Sequence, residues 1–150
     1  MAVNKLSPIY SLIHFIGLAV SGRLHFPRQR VGQELWLDGE KWVIFRQAVV
    51  DPGKGQPFKP GAVFRPRFHV AGTSVRRNIR FSLIPIPFYV GMPGFRSKLW
   101  LAQPESGDFS GYYEWGTLEQ AENYSHPLAA GFMTRRSVPG SVSFRVIPQT

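Results

Sequence analysis

Two neighbouring strand patterns and the helix signal that follows them constrain the fold of this chain more than any other feature. Residues 95–102 and 109–115 each alternate aromatic or apolar side chains with charged or polar ones, and the polar segment between them is typical of a turn. Thr117 and Gln120 have the spacing of a capping box, which marks the start of a helix. Residues 142–146 alternate again and predict a final strand. This order favours an α+β domain with an antiparallel sheet.

The segment before these strands supplies the other half of the pattern. Residues 62–70 alternate as a strand, in which Pro66 cannot donate a ladder hydrogen bond and so indicates a bulge or an open flank. Residues 73–84 have apolar side chains at helical spacing, and residues 85–94 follow as a proline-rich apolar connector that packs on the domain. From residue 62 onward the order is β-α-β-β-α-β. That is the ferredoxin-like arrangement, one antiparallel sheet with two helices on one face.

The N-terminal part lies outside this pattern, and we interpret it as an extension. Pro8 to Val20 is an apolar stretch that is too short for a bilayer, which needs about 20 residues. We expect a helix that docks on a neighbouring surface, with a signal peptide or a membrane-surface helix as alternatives. Asp38-Gly39 between two apolar runs predicts a β-hairpin. The chain is therefore predicted to have a helix and hairpin extension over residues 1–61 and a ferredoxin-like domain over residues 62–150, in one compact unit.

The composition favours an anionic partner for a chain that can build a substantial core. Hydrophobic residues make up 43% and aromatic residues 14% of the sequence, and the formal net charge is +9. Lys and Arg concentrate in residues 1–98, which indicates an anionic small molecule, an acidic membrane surface or nucleic acid, although a solvated Arg-rich surface gives the same composition. Nucleic acid is disfavoured because the sequence has no long run of like charges and no nucleic-acid-binding signature. Cysteine is absent, which agrees with a cytoplasmic protein.

Three sequence blocks carry a resemblance to a known superfamily. They are Pro93-Gly94-Phe95-Arg96-Ser97-Lys98-Leu99-Trp100, then Gly111-Tyr112-Tyr113-Glu114-Trp115, then Ala121 to Tyr124. Over roughly residues 62–148 the chain resembles the dimeric α/β-barrel superfamily, and most of all its small monooxygenase-like proteins. The resemblance implies a homodimer whose two sheets face each other. It also implies an oxygenase that needs no cofactor, in which the anion of an electron-rich phenol reacts directly with dioxygen. Some members of the superfamily bind haem instead.

One face of the predicted sheet collects the candidate functional side chains if the strands alternate regularly. Under the helices we expect the apolar side chains of Phe64, Phe68, Leu99, Leu101, Phe144 and Val146. The opposite face then carries Arg65, Arg67, His69, Arg96, Lys98, Trp100, Tyr112, Glu114, Ser143 and Arg145. Because so many buried cations would need a cover, we expect the hairpin with Trp36 and Trp42 to lie over this face. Ion pairs that fix the hairpin and a dimer are the structural alternative.

The predicted roles of these side chains follow from their chemistry. We predict that His69 and Tyr112 are catalytic, with His69 as a general base near neutral pH. The substrate-binding candidates are cations for an oxyanion, and rings or polar groups that line the pocket: Arg67, Arg96, Lys98, Trp100, Glu114, Trp115 and His126. A bulge at Pro66 would move His69 to the other face and let Tyr113 and Trp115 compete for the pocket.

The sequence thus predicts a small enzyme that acts on an aromatic or polyketide-like anion, with cofactor-independent oxygenation as the reaction that the resemblance implies. The same residues permit an isomerase, a cyclase or a carrier. No histidine pair has metal-ligand spacing, so no metal site is predicted. Two other functions stay open: a non-catalytic protein that binds a hydrophobic anion or an anionic membrane surface, and a haem-binding relative.

Overall fold

A computed structural model describes residues 4–56, 59–69, 75–125, 138 and 140–149 of the chain. In chain order the elements are α1 (Pro8–Val20), β1 (Leu24–His25), β2 (Glu34–Leu37), β3 (Glu40–Val50), β4 (Ala62–His69), α2 (Val75–Phe81), α3 (Ile86–Val90), β5 (Phe95–Gln103), β6 (Asp108–Trp115), α4 (Leu118–Tyr124) and β7 (Ser143–Pro148). The predicted order of strands and helices from residue 62 onward is present.

The seven strands of the described residues belong to one antiparallel sheet. Its order is β1-β3-β5-β6-β4-β7, and β2 pairs with β3. Within it, β5-β6-β4-β7 is the strand order of a ferredoxin-like domain, so the predicted α+β fold is confirmed. Strand β3 pairs with β5 and extends the sheet beyond that domain. The end of the hairpin folds over the sheet face away from the helices, where Asp38 accepts from Arg65 and Arg145 and the Trp42 ring packs on Arg67. The hairpin therefore covers this face as we expected, through Trp42, whereas Trp36 is exposed.

Local sequence signals explain the two N-terminal elements. At the hairpin turn Asp38 has φ 51° and Gly39 has φ 79°, the positive angles that a tight two-residue turn requires at both positions. Helix α1 begins where Ser7 caps it by accepting a hydrogen bond from the backbone N–H of Tyr10, with Pro8 in the first turn. Both the predicted hairpin and the predicted helix are confirmed.

Helix α1 docks on α3 by one face only. The His14 ring Nδ1 lies 2.8 Å from the carbonyl oxygen of Gly91, and Ser11 and Leu18 are buried. The backbones touch so closely that a Cβ on Gly91 would lie 1.8 Å from the carbonyl oxygen of Ser11. The other side of α1 leaves Ile9 and several further apolar side chains exposed. Among the described residues, no helix is long and apolar enough to cross a membrane.

The segment predicted as one helix and a connector forms two short helices. Helix α2 ends at Phe81, and α3 begins at Ile86 with Pro87 in its first turn. Proline is tolerated there because the first N–H groups of a helix have no partner inside it. The predicted start of the first helix near residue 73 lies outside the described residues. Helix α4 begins as predicted, because the Thr117 hydroxyl accepts a hydrogen bond from the backbone N–H of Gln120.

The sheet has an apolar core on both faces, which overturns one part of the predicted pattern. Leu99 and Leu101 pack on the side away from the helices, against Trp42 and Ile44 of β3. Their neighbours in β5 therefore point the other way: Lys98 pairs with Tyr113 and Trp100 with Gly111, on the helix side. The prediction that placed Lys98 and Trp100 opposite the helices was wrong. It assumed that the leucines belong under the helices, whereas β3 provides them with a second apolar cluster.

Candidate functional site

A small aromatic cavity lies between the sheet and the helices. It measures about 40 Å³, enough for a few water molecules and below the size of a typical ligand pocket, about 300–1,000 Å³. Its walls are rings and a few polar groups: Phe45, Pro66, Phe68, Asn78, Ser82, Pro85, Tyr89, Lys98, Trp100, Phe109, Ser110, Gly111, Tyr113 and Tyr124. No acidic side chain is among these described lining residues.

Lys98 places an ammonium group inside a cage of aromatic rings. The residue is 7% exposed, and its Nζ donates to the hydroxyl of Tyr89 at 3.1 Å and to that of Tyr113 at 2.5 Å. The same Nζ lies 4.3 Å from the ring centroid of Trp100 and within 4.7 Å of the Tyr89 and Tyr113 ring centroids. Cation–π contacts of this kind contribute about 2 kcal/mol or more when the cation is desolvated.

The phenols around Lys98 form a hydrogen-bonded row. The hydroxyl of Tyr124 lies 3.3 Å from that of Tyr113. Burial raises the pKa of Tyr89 well above its ordinary value, and burial also raises the pKa of Tyr124 although its bond to Tyr113 acts in the opposite direction. Tyr89 and Tyr124 therefore keep their protons at neutral pH and serve as hydrogen-bond donors.

Arg46 brings a second cation to the same side of the sheet. Its guanidinium donates to the Ser82 hydroxyl at 2.7 Å and to the Ile79 carbonyl at 3.2 Å, and lies 5.1 Å from the Trp100 ring centroid. Burial lowers the pKa of Arg46, yet an arginine stays charged at any physiological pH. Arg46 and Phe45 line a wider pocket of about 620 Å³, and Phe45 also lines the small cavity. The two spaces are therefore neighbours.

Two further polar groups of the cavity are buried. Trp100 is 3% exposed, and its indole N–H has no acceptor in the part of the chain that the structure describes. Asn78 of α2 is 2% exposed. A buried donor without a partner costs free energy, so it is a group that a ligand or water in the cavity can satisfy.

The sheet face away from the helices, which we call the open face, holds a network of ion pairs. Arg67 donates to Asp108 at 2.7 Å and 3.0 Å and to Glu40 at 2.5 Å. Asp38 of the hairpin turn accepts from Arg65 at 2.7 Å and from Arg145 at 2.9 Å. Cations therefore do not lack counter-ions here, because the hairpin and β6 supply carboxylates. The structural alternative for these arginines, ion pairs that fix the hairpin, matches this geometry.

His69 and Arg67 lie on the open face and not at the cavity. The His69 Nδ1 is 2.9 Å from the Asp108 carboxylate, and the side chain is 43% exposed. The pairing of β4 with β6 keeps the same register on both sides of Pro66, with Phe64 opposite Tyr113 and Arg67 opposite Ser110. Pro66 therefore introduces no bulge that would turn His69 toward the helices.

The other predicted site residues are dispersed. Tyr112 is half-buried against the open-face apolar cluster, and Glu114 accepts a hydrogen bond from the Ser97 hydroxyl at 2.5 Å. Trp115 is fully buried in the helix-side core. Arg96 is the extra residue of a β-bulge and lines a different pocket, beside α1. His126 lies outside the described residues.

Of the predicted site residues, Lys98 and Trp100 are the two that the structure places at the cavity. Sequence reasoning missed Tyr89, Tyr124 and Arg46. Tyr89 belongs to a segment that we interpreted as a connector, and only the i, i+3 and i+4 spacing of its apolar neighbours could have placed it on a helix. Arg46 follows a bulge in β3 that reverses its side, which the alternation of the sequence does not indicate.

Comparison with solved structures assigns the fold. A ferredoxin-fold protein from Listeria monocytogenes, described as related to antibiotic biosynthesis monooxygenases, is 12% identical, with a TM-score of 0.56 over 79% of this chain and 71% of its own. A heme-degrading enzyme from the same organism is 11% identical, with a TM-score of 0.57 over 77% and 74%. A monooxygenase-like protein from Listeria innocua is 9% identical, with a TM-score of 0.55 over 77% and 67%. The chain has the ferredoxin-like fold that these structures share. No family model and no curated protein matches it.

The ferredoxin-like fold gives the two sheet faces different chemistry in this chain. The helix side encloses the cavity with Lys98 and its phenols, whereas the open face carries paired arginines and a separate apolar cluster. At these sequence identities the likeness concerns the fold alone, so the activity has to be argued from the residues.

Proposed function

We propose that the protein is a small enzyme that binds an aromatic anion between the sheet and the helices. The observation that carries the proposal is the buried Lys98 ammonium, enclosed by rings and bonded to phenol oxygens at the wall of a cavity. An aromatic ligand matches the flat walls, and an oxyanion matches the ammonium and the tyrosine donors.

Lys98 would act by stabilising the ionised form of the substrate. A phenolate oxygen about 4 Å from an ammonium gains about 4 kcal/mol at an effective dielectric constant near 20. That gain lowers the pKa of a bound phenol by as much as about 3 units. Tyr89 and Tyr124 keep their protons, so they donate to the oxyanion and do not act as bases. His69 is held on the open face, which leaves water as the acceptor of the substrate proton.

The reaction that we propose for this anion is oxygenation by dioxygen without a cofactor. An electron-rich phenolate can give electrons directly to dioxygen. One oxygen atom then enters the ring system as a carbonyl in place of two hydrogens, and the other leaves as water. The protein's part is to hold the anion beside a cation and away from bulk water. The monooxygenase-like protein among the solved structures of the same fold agrees with this chemistry.

Haem does not fit the described part of this site. The heme-degrading enzyme from Listeria monocytogenes shares the fold, so a porphyrin is the obvious alternative ligand. No histidine is among the described residues that line the cavity or the wider pocket beside it, so neither space offers haem an imidazole ligand. The proposed reaction therefore involves no haem.

Access to the cavity would come from the wider pocket. That pocket, of about 620 Å³, has the size of a ligand site, and Phe45 lines both spaces. Rotation of Phe45 would join them. The anionic end of the ligand would then pass Arg46 on its way to Lys98, so both cations favour the same charge.

The proposal is tested by the ionisation of a bound phenol. With 4-nitrophenol as the probe, visible absorbance reports the phenolate, and we expect its pKa to fall on binding to the wild type. Lys98→Met should abolish this fall, whereas Lys54→Met, which removes an exposed lysine, should retain it. An equal pKa in the wild type and in Lys98→Met would overturn the site. Oxygen uptake with electron-rich polycyclic phenols tests the reaction separately.

A homodimer is a further part of the proposal that the fold suggests. The open face leaves Leu35, Leu37 and Tyr112 only half-buried beside the arginine network. A second copy placed against this face would cover them. Light scattering of the purified protein measures the oligomeric state, and a monomer at all concentrations would refute this part.

A second candidate function is contact with an anionic membrane surface, because α1 presents an exposed apolar stripe. Ile9, Ile13, Ile16 and Val20 follow helical spacing and are 72%, 65%, 52% and 84% exposed. Cations flank the helix at Lys5 and Arg23. Binding to phosphatidylglycerol vesicles should be lost in Ile13→Asp and kept in Ile84→Asp, whose side chain is similarly exposed elsewhere. Equal binding by both variants would reject this candidate.

A further inference from the structure

A further pocket shares no lining residue with the aromatic cavity or with the wider pocket beside it. It measures about 340 Å³ and is bounded by α1, the end of β3, the start of β5 and the start of α4. Its polar wall includes Lys5, Arg23, Asp51, Arg96 and Gln120. Whatever occupies it is independent of the proposed chemistry at Lys98.

Arg96 is the side chain of this pocket that most favours a bound anion. The β-bulge between Phe95 and Ser97 takes Arg96 out of the regular alternation of β5. The side chain is more than nine-tenths buried, at 8% exposed, and makes no hydrogen bond or ion pair with any described residue. No Arg96 nitrogen is among the fully enclosed, unbonded atoms of the described residues, so the guanidinium opens into the pocket and can accept an anion as its ion-pair partner.

The surrounding charges define the charge of that anion. Arg96, Arg23 and Lys5 contribute three positive charges to the wall, and Asp51 contributes one negative charge. Asp51 already binds the His25 ring at 2.8 Å, and Arg23 donates to the backbone oxygen of Asp51 at 2.7 Å. The excess of cations over carboxylates is two, which matches a dianion.

A ring pair adds an apolar wall. Tyr10 and His14 of α1 line the pocket with their ring centroids 5.7 Å apart. His14 is oriented by the carbonyl of Gly91, 2.8 Å from its Nδ1. The pocket therefore has two ring side chains, tilted by 35° to each other, beside the cations.

We propose that this pocket binds a small phosphate monoester, with Arg96 as the residue that holds the phosphate. A phosphate monoester carries about −1.5 to −2 charges at pH 7, which corresponds to the excess of cations. The planar guanidinium fork binds two phosphate oxygens at once. The organic part of the ligand lies against the Tyr10 and His14 rings.

Phosphate binding is measured by calorimetry and thermal unfolding, with inorganic phosphate as the probe and acetate at equal ionic strength for comparison. We expect phosphate to bind the wild type and Arg28→Met, which removes an exposed arginine outside this pocket. Arg96→Met should weaken phosphate binding at least tenfold. Without phosphate it should unfold at about the same temperature as the wild type, because Arg96 has no hydrogen bond or ion pair with a described residue to lose.

Three results would overturn the proposal. The first is equal phosphate affinity in Arg96→Met and the wild type, and the second is acetate binding as tight as phosphate binding, which would assign a carboxylate ligand. If Arg96→Met does not fold, phosphate binding at Arg96 is tested in the wild type by the NMR resonance of the Arg96 Nε–H group. It should shift on phosphate titration, and an unchanged resonance is the third contradicting result.

Discussion

Replacing Asp108 by Asn tests whether carboxylates of the chain itself neutralise the arginines of the open face. The Asp108 carboxylate accepts from Arg67 at 2.7 Å and 3.0 Å and lies 2.9 Å from the His69 Nδ1. The Asp108 side chain is 20% exposed and that of Arg67 is 37% exposed, so salt screens the pair only in part. Asp108→Asn keeps the size of the side chain and one acceptor oxygen but removes the charge.

The magnitude lies between two limits. A hydrogen bond to a charged group contributes about 1.5–3 kcal/mol when it is protected from water, and an exposed ion pair contributes about 0.2–1 kcal/mol. Arg67 also keeps Glu40 as a partner and lies 5.2 Å from the Trp42 ring centroid, so it is not left without contacts. We expect Asp108→Asn to lower the free energy of unfolding by about 1–2 kcal/mol at pH 7.

The pH dependence gives a second, independent expectation. Burial raises the pKa of Asp108, but the hydrogen bonds from Arg67 and His69 outweigh it, and the net pKa is below the ordinary value. A carboxyl with a lowered pKa in the folded state stabilises the fold above its unfolded pKa, about 3.9. That contribution is lost as the pH falls through the lower folded value. The difference between wild type and Asp108→Asn should therefore shrink as the pH falls below about 4.

Urea unfolding followed by tryptophan fluorescence at pH 7, 5 and 3 provides the measurement. Glu105→Gln is the matched control, since Glu105 is an exposed acid in the turn just before β6. It should change stability by less than about 0.5 kcal/mol. Equal stability of Asp108→Asn and wild type at pH 7, or a difference in stability that is as large at pH 3 as at pH 7, would contradict this expectation. Arg67 would then be available for a ligand, as the sequence alone led us to expect.

Three further substitutions test the packing. Gly91→Ala should destabilise the protein by about 1–3 kcal/mol in thermal unfolding, because its Cβ would lie 1.8 Å from the Ser11 carbonyl oxygen and push α1 away from α3. Leu101→Ala should cost about 2–5 kcal/mol in urea unfolding, because Leu101 is fully buried on the open face; a cost below about 1 kcal/mol would contradict the second core. Thr117→Ala should cost about 1 kcal/mol in the same assay by removing the cap of α4, and Thr117→Ser should cost less.

Features that depend on neighbours along the chain were predictable from the sequence. The Asp38-Gly39 turn needs only two residues that accept positive φ, and the cap of α4 needs only Thr117 at its position. The order of strands and helices from residue 62 onward follows from the same kind of local pattern. Each of these predictions is confirmed because a short segment contains the physical cause.

The sheet face on which each side chain lies was less predictable, because it depends on strand partners far along the chain. Leu99 and Leu101 are apolar on either reading, and only the pairing of β3 with β5 provides them with Trp42 on the open face. Each of the two bulges, at Phe45 and at Arg96, then shifts the alternation by one residue. The resulting error moved Lys98 to the wrong face and grouped it with Arg67, from which the sheet itself separates it.

The counter-ions of the cations distinguish structural arginines from candidate binding groups. On the open face the chain brings Asp38, Glu40 and Asp108 to its arginines, and these pairs need nothing from solution. On the helix side, Arg46 donates to a hydroxyl and a backbone carbonyl, both uncharged. Burial makes the charge of Arg46 costly there, since neutral partners return only part of the lost hydration. An anion that enters from outside offsets more of this cost than any described neighbour, which favours a ligand on the helix side of the sheet.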